Sequence, residues 1–158
     1  MEIQNNTEVQ ESYEVRKLHV SDKDKGFINL LEQLTPCGNV TNEDFIQRFE
    51  EISRFGDNHV VFVIEDIGKS KIVATGSVII ESKFIRNCSK AGHIEDVVVD
   101  SGYRGKQLGK KMIEFLVDHC VKMGCYKVIL DCSEENACFY QKCGFNKKAV
   151  QMAKYFDT

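Results

Sequence analysis

The stretch from His93 to Met112, HIEDVVVDSGYRGKQLGKKM, constrains the fold more than any other part of the chain. Ile94–Val99 is a dense apolar run of the kind that forms a buried strand. From Leu108 onward the apolar residues Leu108, Met112, Phe115, Leu116 and Met123 recur at helical spacing, so one amphipathic helix is expected over Leu108–Met123, stopped by Gly124. Between them Tyr103–Lys110 carries Gly105 and Gly109 with the cations Arg104, Lys106 and Lys110. The first N–H groups of a helix have no internal partner, and the helix dipole adds positive charge there. A glycine-containing loop at that point can cradle a phosphate or pyrophosphate; it can equally be a helix start with a solvated basic face. A P-loop is excluded, because Arg104 stands where its first glycine belongs and Lys111 where Ser or Thr belongs. The dinucleotide motif G-x-G-x-x-G is absent too.

The remaining elements build an α/β chain around that unit. Tyr13–Val20 alternates as a half-buried strand does, and Ser21 with Asp24 suggests the start of a helix carrying Phe27, Ile28, Leu30, Leu31 and Leu34. Thr35-Pro36-Cys37-Gly38 breaks it. Thr41 and Asp44 cap a second helix with Phe45, Ile46, Phe49 and Ile52 on its apolar side. His59–Glu65 and Ile72–Ile80 read as a hairpin around Asp66–Lys69. Lys127–Leu130 is a short buried strand, Asn136–Cys143 a short helix ended by Gly144, and Lys147–Phe156 a final strand. The expected order is β-α-α-β-β-β-α-β-α-β, a mixed α/β (α+β) sheet with helices on both faces.

A chain of 158 residues fits one domain, here residues 13–158 after a polar, disordered tail over 1–12. The net charge of −3 argues against a general nucleic-acid binder. No apolar run spans a bilayer, and the N-terminus has no secretory pattern, so a cytoplasmic protein without a membrane partner is expected. The seven cysteines form no C-x-x-C pair, which speaks for reduced core thiols and against zinc or a disulfide scaffold. No metal is expected.

Arg104-Gly105-Lys106-Gln107-Leu108-Gly109 resembles the coenzyme A loop [R/Q]-x-x-G-x-[G/A] of the GCN5-related N-acetyltransferases, with Gln107 in the place of the inner glycine. The blocks GHIEDVVVDSGYRGKQLGKKMIEFL and GCYKVILDCSEENACFYQKCGF narrow the resemblance to the branch that acetylates glucosamine 6-phosphate. The implied cofactor is acetyl-coenzyme A as cosubstrate, and the implied assembly is a homodimer with a shared sugar site. The resemblance implies that the backbone of Val97, Val98 and Val99 pairs with the pantetheine. Arg104, Gly105, Lys106, Gln107, Leu108, Gly109 and Lys110 would hold the pyrophosphate, and Asn136 would cap the last helix and reach the cofactor. Tyr140 would donate to the departing thiolate. Glu95, Asp96, Asp131 and Thr35 would meet the sugar, and Lys83, Arg86, Tyr126 and Lys127 its phosphate. Tyr140, Asp131 and Glu95 would be the catalytic groups, in a direct transfer that feeds nucleotide-sugar synthesis.

The residues alone allow blander roles. Adjacent carboxylates on a strand point to opposite faces, so Glu95 and Asp96 should be separated. Asp131 could cap the turn at Ser133–Asn136, and Tyr140 could be a core aromatic. The same loop would also suit acetylation of another amine or a protein, or a non-catalytic acyl-coenzyme A sensor. For Gln107 a negative, helical φ is expected.

Overall fold

The computed structural model describes residues 11–157. One sheet holds five strands in sequence order: β1 (Tyr13–Lys17), β2 (His59–Asp66), β3 (Lys71–Ser82), β4 (Lys90–Val99) and β5 (Cys125–Ile129). The first four pair antiparallel, and β5 runs parallel to β4. The α-helices are α1 (Phe27–Leu31), α2 (Asn42–Ser53), α3 (Leu108–Lys122) and α4 (Glu134–Lys142). Of the expected tail, residues 1–10 lie outside the described ones. Ser12 accepts a hydrogen bond from Ile67 N–H, so it already lies beside the end of β2.

The sheet separates two cores. On one face Phe27, Leu30 and Phe45 from the early helices meet Val63, Ile72 and Val98. On the other Leu108, Met112, Ile113, Leu116 and Cys120 of α3 meet Phe62, Ile64, Val73, Val78 and Ile94. Burial on both faces explains why the central strands read as continuous apolar runs. Each such side chain contributes on the order of 1.5–3 kcal/mol. The approach of α3 depends on glycine: a Cβ on Gly92 would lie 2.3 Å from Cys120 Sγ, and one on Gly76 2.8 Å from Leu116 Cδ1.

The cap at Thr41–Asp44 forms as a reciprocal pair, and α3 ends just before Gly124, whose φ is +77°. Elsewhere tertiary contacts displace the expected boundaries. β1 stops at Lys17, because Asp22 accepts from His19 N–H and from both arms of the Arg16 fork, and this starts a 3-10 turn over Val20–Lys25. Ser21 and Asp24 therefore do not open the helix. β4 begins at Lys90 rather than Ile94, supported by β3 along its whole length. α4 begins at Glu134, with Ser133 in the capping position. Asn136 is thus inside the helix and donates its N–H to Ser133 O; it does not cap.

The last expected strand is absent. Residues 147–156 have strand-like composition, but among the described residues no neighbouring strand offers a ladder, and Val150, Met152, Tyr155 and Phe156 are all highly exposed.

Candidate active site

The sheet opens where β4 and β5 part. Their parallel pairing covers only Lys90–His93 of β4, while β4 continues to Val99 against β3 alone. Asp100 N–H donates to Val73 O at 2.8 Å. Backbone groups alternate along an antiparallel pair, so Val98 also faces β3, and Val97 and Val99 present their N–H and C=O to the open side. That leaves a short unpaired strand edge inside a wedge, to which an extended ligand can add itself as a strand. Of the valines expected to bind, Val98 turns its backbone the other way.

The wedge ends at the basic loop. Asp100 is fixed there by Lys71 at 2.9 Å, by Gly102 N–H and by the Gln33 amide, whose oxygen also accepts from Ser101 N–H. Tyr103 is buried and donates its hydroxyl to Asp66. The chain then turns through Gly105, at φ +82°, into α3. Gln107 precedes α3 at φ +63°, ψ +17° and accepts from Lys111 N–H. This corrects the expectation of a negative φ: Gln107 sits in the left-handed region that glycine favours, which costs a side chain about 1 kcal/mol. Gly109 serves packing, since a Cβ there would lie 3.2 Å from the Phe139 ring. Lys106 is held by both oxygens of Glu11, at 2.6 and 2.8 Å. Tyr13, Lys106, Gln107, Leu108, Lys110, Lys111 and Glu114 line an open cavity of about 430 Å³ at this helix end.

A β-bulge shapes the other side of the wedge. Thr75 pairs with Val98 but Ser77 with Glu95, so Asp96 and Val97 together oppose Gly76. Asp96 takes φ +52°. The extra residue interrupts the strict alternation of the strand at Glu95 and Asp96. Both are exposed at the mouth, as is Asp131 just beyond β5. Partial burial, then the charges of Asp96 and Asp131, push the Glu95 carboxyl above its usual pKa. The Cys37 thiol, in the loop that carries Thr35, is raised by burial, Glu32 and Asp96, so that loop also faces the acids. Asp131 receives the Gln151 amide at 3.0 Å.

The cations gather along the same edge, toward the β3–β4 turn. The Arg86 guanidinium lies 4.9 Å from the centre of the Tyr126 ring and Lys127 Nζ 5.5 Å from it. Arg86 gets there through a left-handed turn, with Arg86, Asn87 and Cys88 all at positive φ. Lys83 is tied to Glu81, which also binds His93. Tyr140 is half-buried between Phe139 and Phe145, in edge-on contact with both. Burial, then Cys132 and Cys143, raise the Tyr140 phenol, so it stays protonated at neutral pH and remains a donor.

An open strand edge that leads into a basic helix terminus can receive an extended ligand that carries an anion. The sequence matches the acetyltransferase (GNAT) family over residues 25–145. This chain belongs to that family. It is 67% identical over 147 residues to a glucosamine 6-phosphate N-acetyltransferase of Arabidopsis thaliana, covering 93% of this chain and 99% of the relative. It is 48% identical to glucosamine 6-phosphate N-acetyltransferase 1 of Dictyostelium discoideum over 95% of each chain. A crystal structure of the Arabidopsis thaliana enzyme superposes with a TM-score of 0.91, covering 93% of this chain and all of that one.

In this GNAT protein the open strand edge, the acids and the cations lie on adjoining parts of one sheet edge. Among the described residues no cluster of His, Cys, Asp and Glu could hold a metal ion. Gln33, Glu11 and Gln151 were not legible in the sequence as parts of the site. Each reaches it across a long sequence separation, and an isolated Gln or Glu carries no local signal.

Proposed function

We propose that this chain transfers the acetyl group of acetyl-coenzyme A to the amine of glucosamine 6-phosphate, giving N-acetylglucosamine 6-phosphate and coenzyme A. The observation that carries this reading is the junction at the β4–β5 split. An unpaired edge for the donor adjoins a cluster of carboxylates suited to an ammonium, with cations suited to a phosphate beyond it. The named relatives support the same acceptor.

The pantetheine lies along Val97 and Val99, and the Val97 and Val99 N–H groups provide donors for the thioester oxygen. The pyrophosphate meets the start of α3, with Arg104, Lys106 and Lys110 around it. Lys106 must leave Glu11 to take part. Asp131 holds the substrate ammonium. Glu95, with its raised pKa, is placed to take the proton the amine loses. The neutral nitrogen attacks the carbonyl carbon, a C–N bond forms, the C–S bond breaks with its electron pair on sulfur, and the nitrogen sheds its second proton to solvent as it becomes the amide. Tyr140 donates to that thiolate. Asp96 and Thr35 contact sugar hydroxyls, and Lys83, Arg86, Tyr126 and Lys127 take the phosphate. Asn136, exposed in the first turn of α4, contacts the cofactor.

The reading includes a homodimer in which the sugar site is shared. Phe84, 95% exposed, Ile85 and the apolar residues of the C-terminal segment supply surface for a second copy. It also places the protein in the cytosol, where its seven free thiols stay reduced. Among the described residues no helix is long and apolar enough to cross a membrane.

A competition test decides the acceptor. The purified protein is given acetyl-coenzyme A with equimolar glucosamine 6-phosphate, other amino sugars and a lysine-bearing peptide, and products are read by mass spectrometry. Acetylation mainly of glucosamine 6-phosphate is expected. Preference for the peptide, or cofactor binding with no acetylated product, overturns the reading.

A further inference from the structure

Gln151 lies in the segment after α4, outside every strand and helix, yet its amide nitrogen donates to Asp131 Oδ2 at 3.0 Å. The contact spans twenty residues of sequence. It leads to the mouth where Asp131 stands beside Glu95 and Asp96. Glu95 on β4 feels the charges of Asp96, Asp131 and His93, and Glu134, three residues after Asp131 in sequence, is paired with Lys147 at 2.6 Å. Tyr140 on α4 feels the charge of Cys132, the residue that follows Asp131 in sequence. Lys147 is engaged by Glu134, so the partner that reaches Asp131 is a neutral amide.

We infer that Gln151 is a positioning residue for acceptor binding: its amide fixes one oxygen of Asp131 and leaves the other aimed at the amine of the substrate. This deepens the function proposed above and rests on it. A neutral donor suits the task. A lysine there would form an ion pair and compete with the substrate ammonium. A carboxylate would add a fourth like charge to a mouth that already raises Glu95. An amide orients Asp131 without doing either, and a hydrogen bond to a charged group is among the stronger kinds. The C-terminal segment, which forms no strand within this chain, thereby gains a role in the site.

Three Gln151 variants, and one spectrum that adds Asp131→Ala, test this. Gln151→Leu keeps the bulk and removes the donor. It should raise KM for glucosamine 6-phosphate about five- to tenfold, with KM for acetyl-coenzyme A and the melting temperature unchanged. Gln151→Glu should raise the sugar KM further and move the acidic limb of the pH–rate profile upward, because Glu95 then faces another carboxylate. Gln151→Asn, with a shorter amide, should fall between Leu and wild type. A merely structural tie would instead lower the melting temperature and leave the sugar KM and the pH limb in place, which would overturn the inference. The spectrum needs no turnover: the Gln151 side-chain amide signals, identified as those missing in Gln151→Leu, should move in Asp131→Ala. If they do not move, the contact is wrong even where the sugar is acetylated. If they move while wild type leaves glucosamine 6-phosphate unacetylated, the contact survives, and the positioning role falls together with the acceptor assignment.

Discussion

Two groups of carboxylates in this molecule make opposite use of the same chemistry. Asp22 and Glu65 lie against the first core, fully or almost fully buried, and are enclosed by Arg16 and Lys25. Burial alone would raise them, but the Arg16 and Lys25 hydrogen bonds and charges outweigh it, and both carboxyls sit below the usual range. Glu95 at the β4–β5 split has company of its own sign, and its pKa is raised. Burial acts in the same direction in both places, so the neighbours decide the sign. Paired acids hold β1, β2 and the 3-10 turn together; among the described residues the crowded acids have no Lys or Arg ion-pair partner. A carboxyl raised among like charges at the opening of a sheet marks a candidate functional site.

The strongest way to break that contrast is Glu95→Gln. It should lower kcat/KM about 10³-fold, within the range for removing a general base. It should leave stability unchanged or raised, because a like charge has gone. Glu95 favours the fold while protonated, and that advantage disappears as pH rises through its raised pKa. Activity should climb through the same window in wild type and lose that limb in the variant. A loss of both stability and activity would place Glu95 with Glu65.

Tyr140→Phe comes next. The phenol hydrogen bond matters only as negative charge builds on sulfur, so kcat should fall about 10²-fold with both KM values nearly constant. An intact kcat with a shifted melting temperature would make Tyr140 a packing residue.

Asp22→Asn tests the paired group. Breaking a buried pair costs about 3 kcal/mol, taken at the low end because Arg16 keeps Glu65. Chemical denaturation should register that loss, while kcat per folded molecule stays unchanged. In wild type, Asp22 and Glu65 contribute stability that is present above the ordinary carboxylate pKa of about 4 and is lost as pH falls through their depressed values.

The same division explains what could be read from the sequence. The strand–loop–helix unit was legible, because periodicity, glycines and cations lie in one continuous stretch from Ile94 to Met123. So were the central hairpin and the cap at Thr41–Asp44, which are local too. The 3-10 turn at Val20 was not, since it depends on Arg16 and on Glu65 of a distant strand. The bulge at Asp96 was hidden for a similar reason: it is a property of two strands in register. The final strand failed because pattern alone cannot supply a pairing partner. Within the candidate site, residues carried by short motifs could be nominated from the sequence, whereas Gln33 and Gln151 depend on how loops return to the sheet.

The central claim is that the crowded acids and the cations beside them together recognise one phosphorylated amino sugar. The direct measurement is release of coenzyme A thiol from acetyl-coenzyme A, with glucosamine 6-phosphate compared against unphosphorylated glucosamine. Charge-assisted contacts from Arg86 and Lys127 should give the phosphorylated sugar a kcat/KM at least about tenfold higher, worth roughly 1.4 kcal/mol. Equal values for the two sugars would contradict the account.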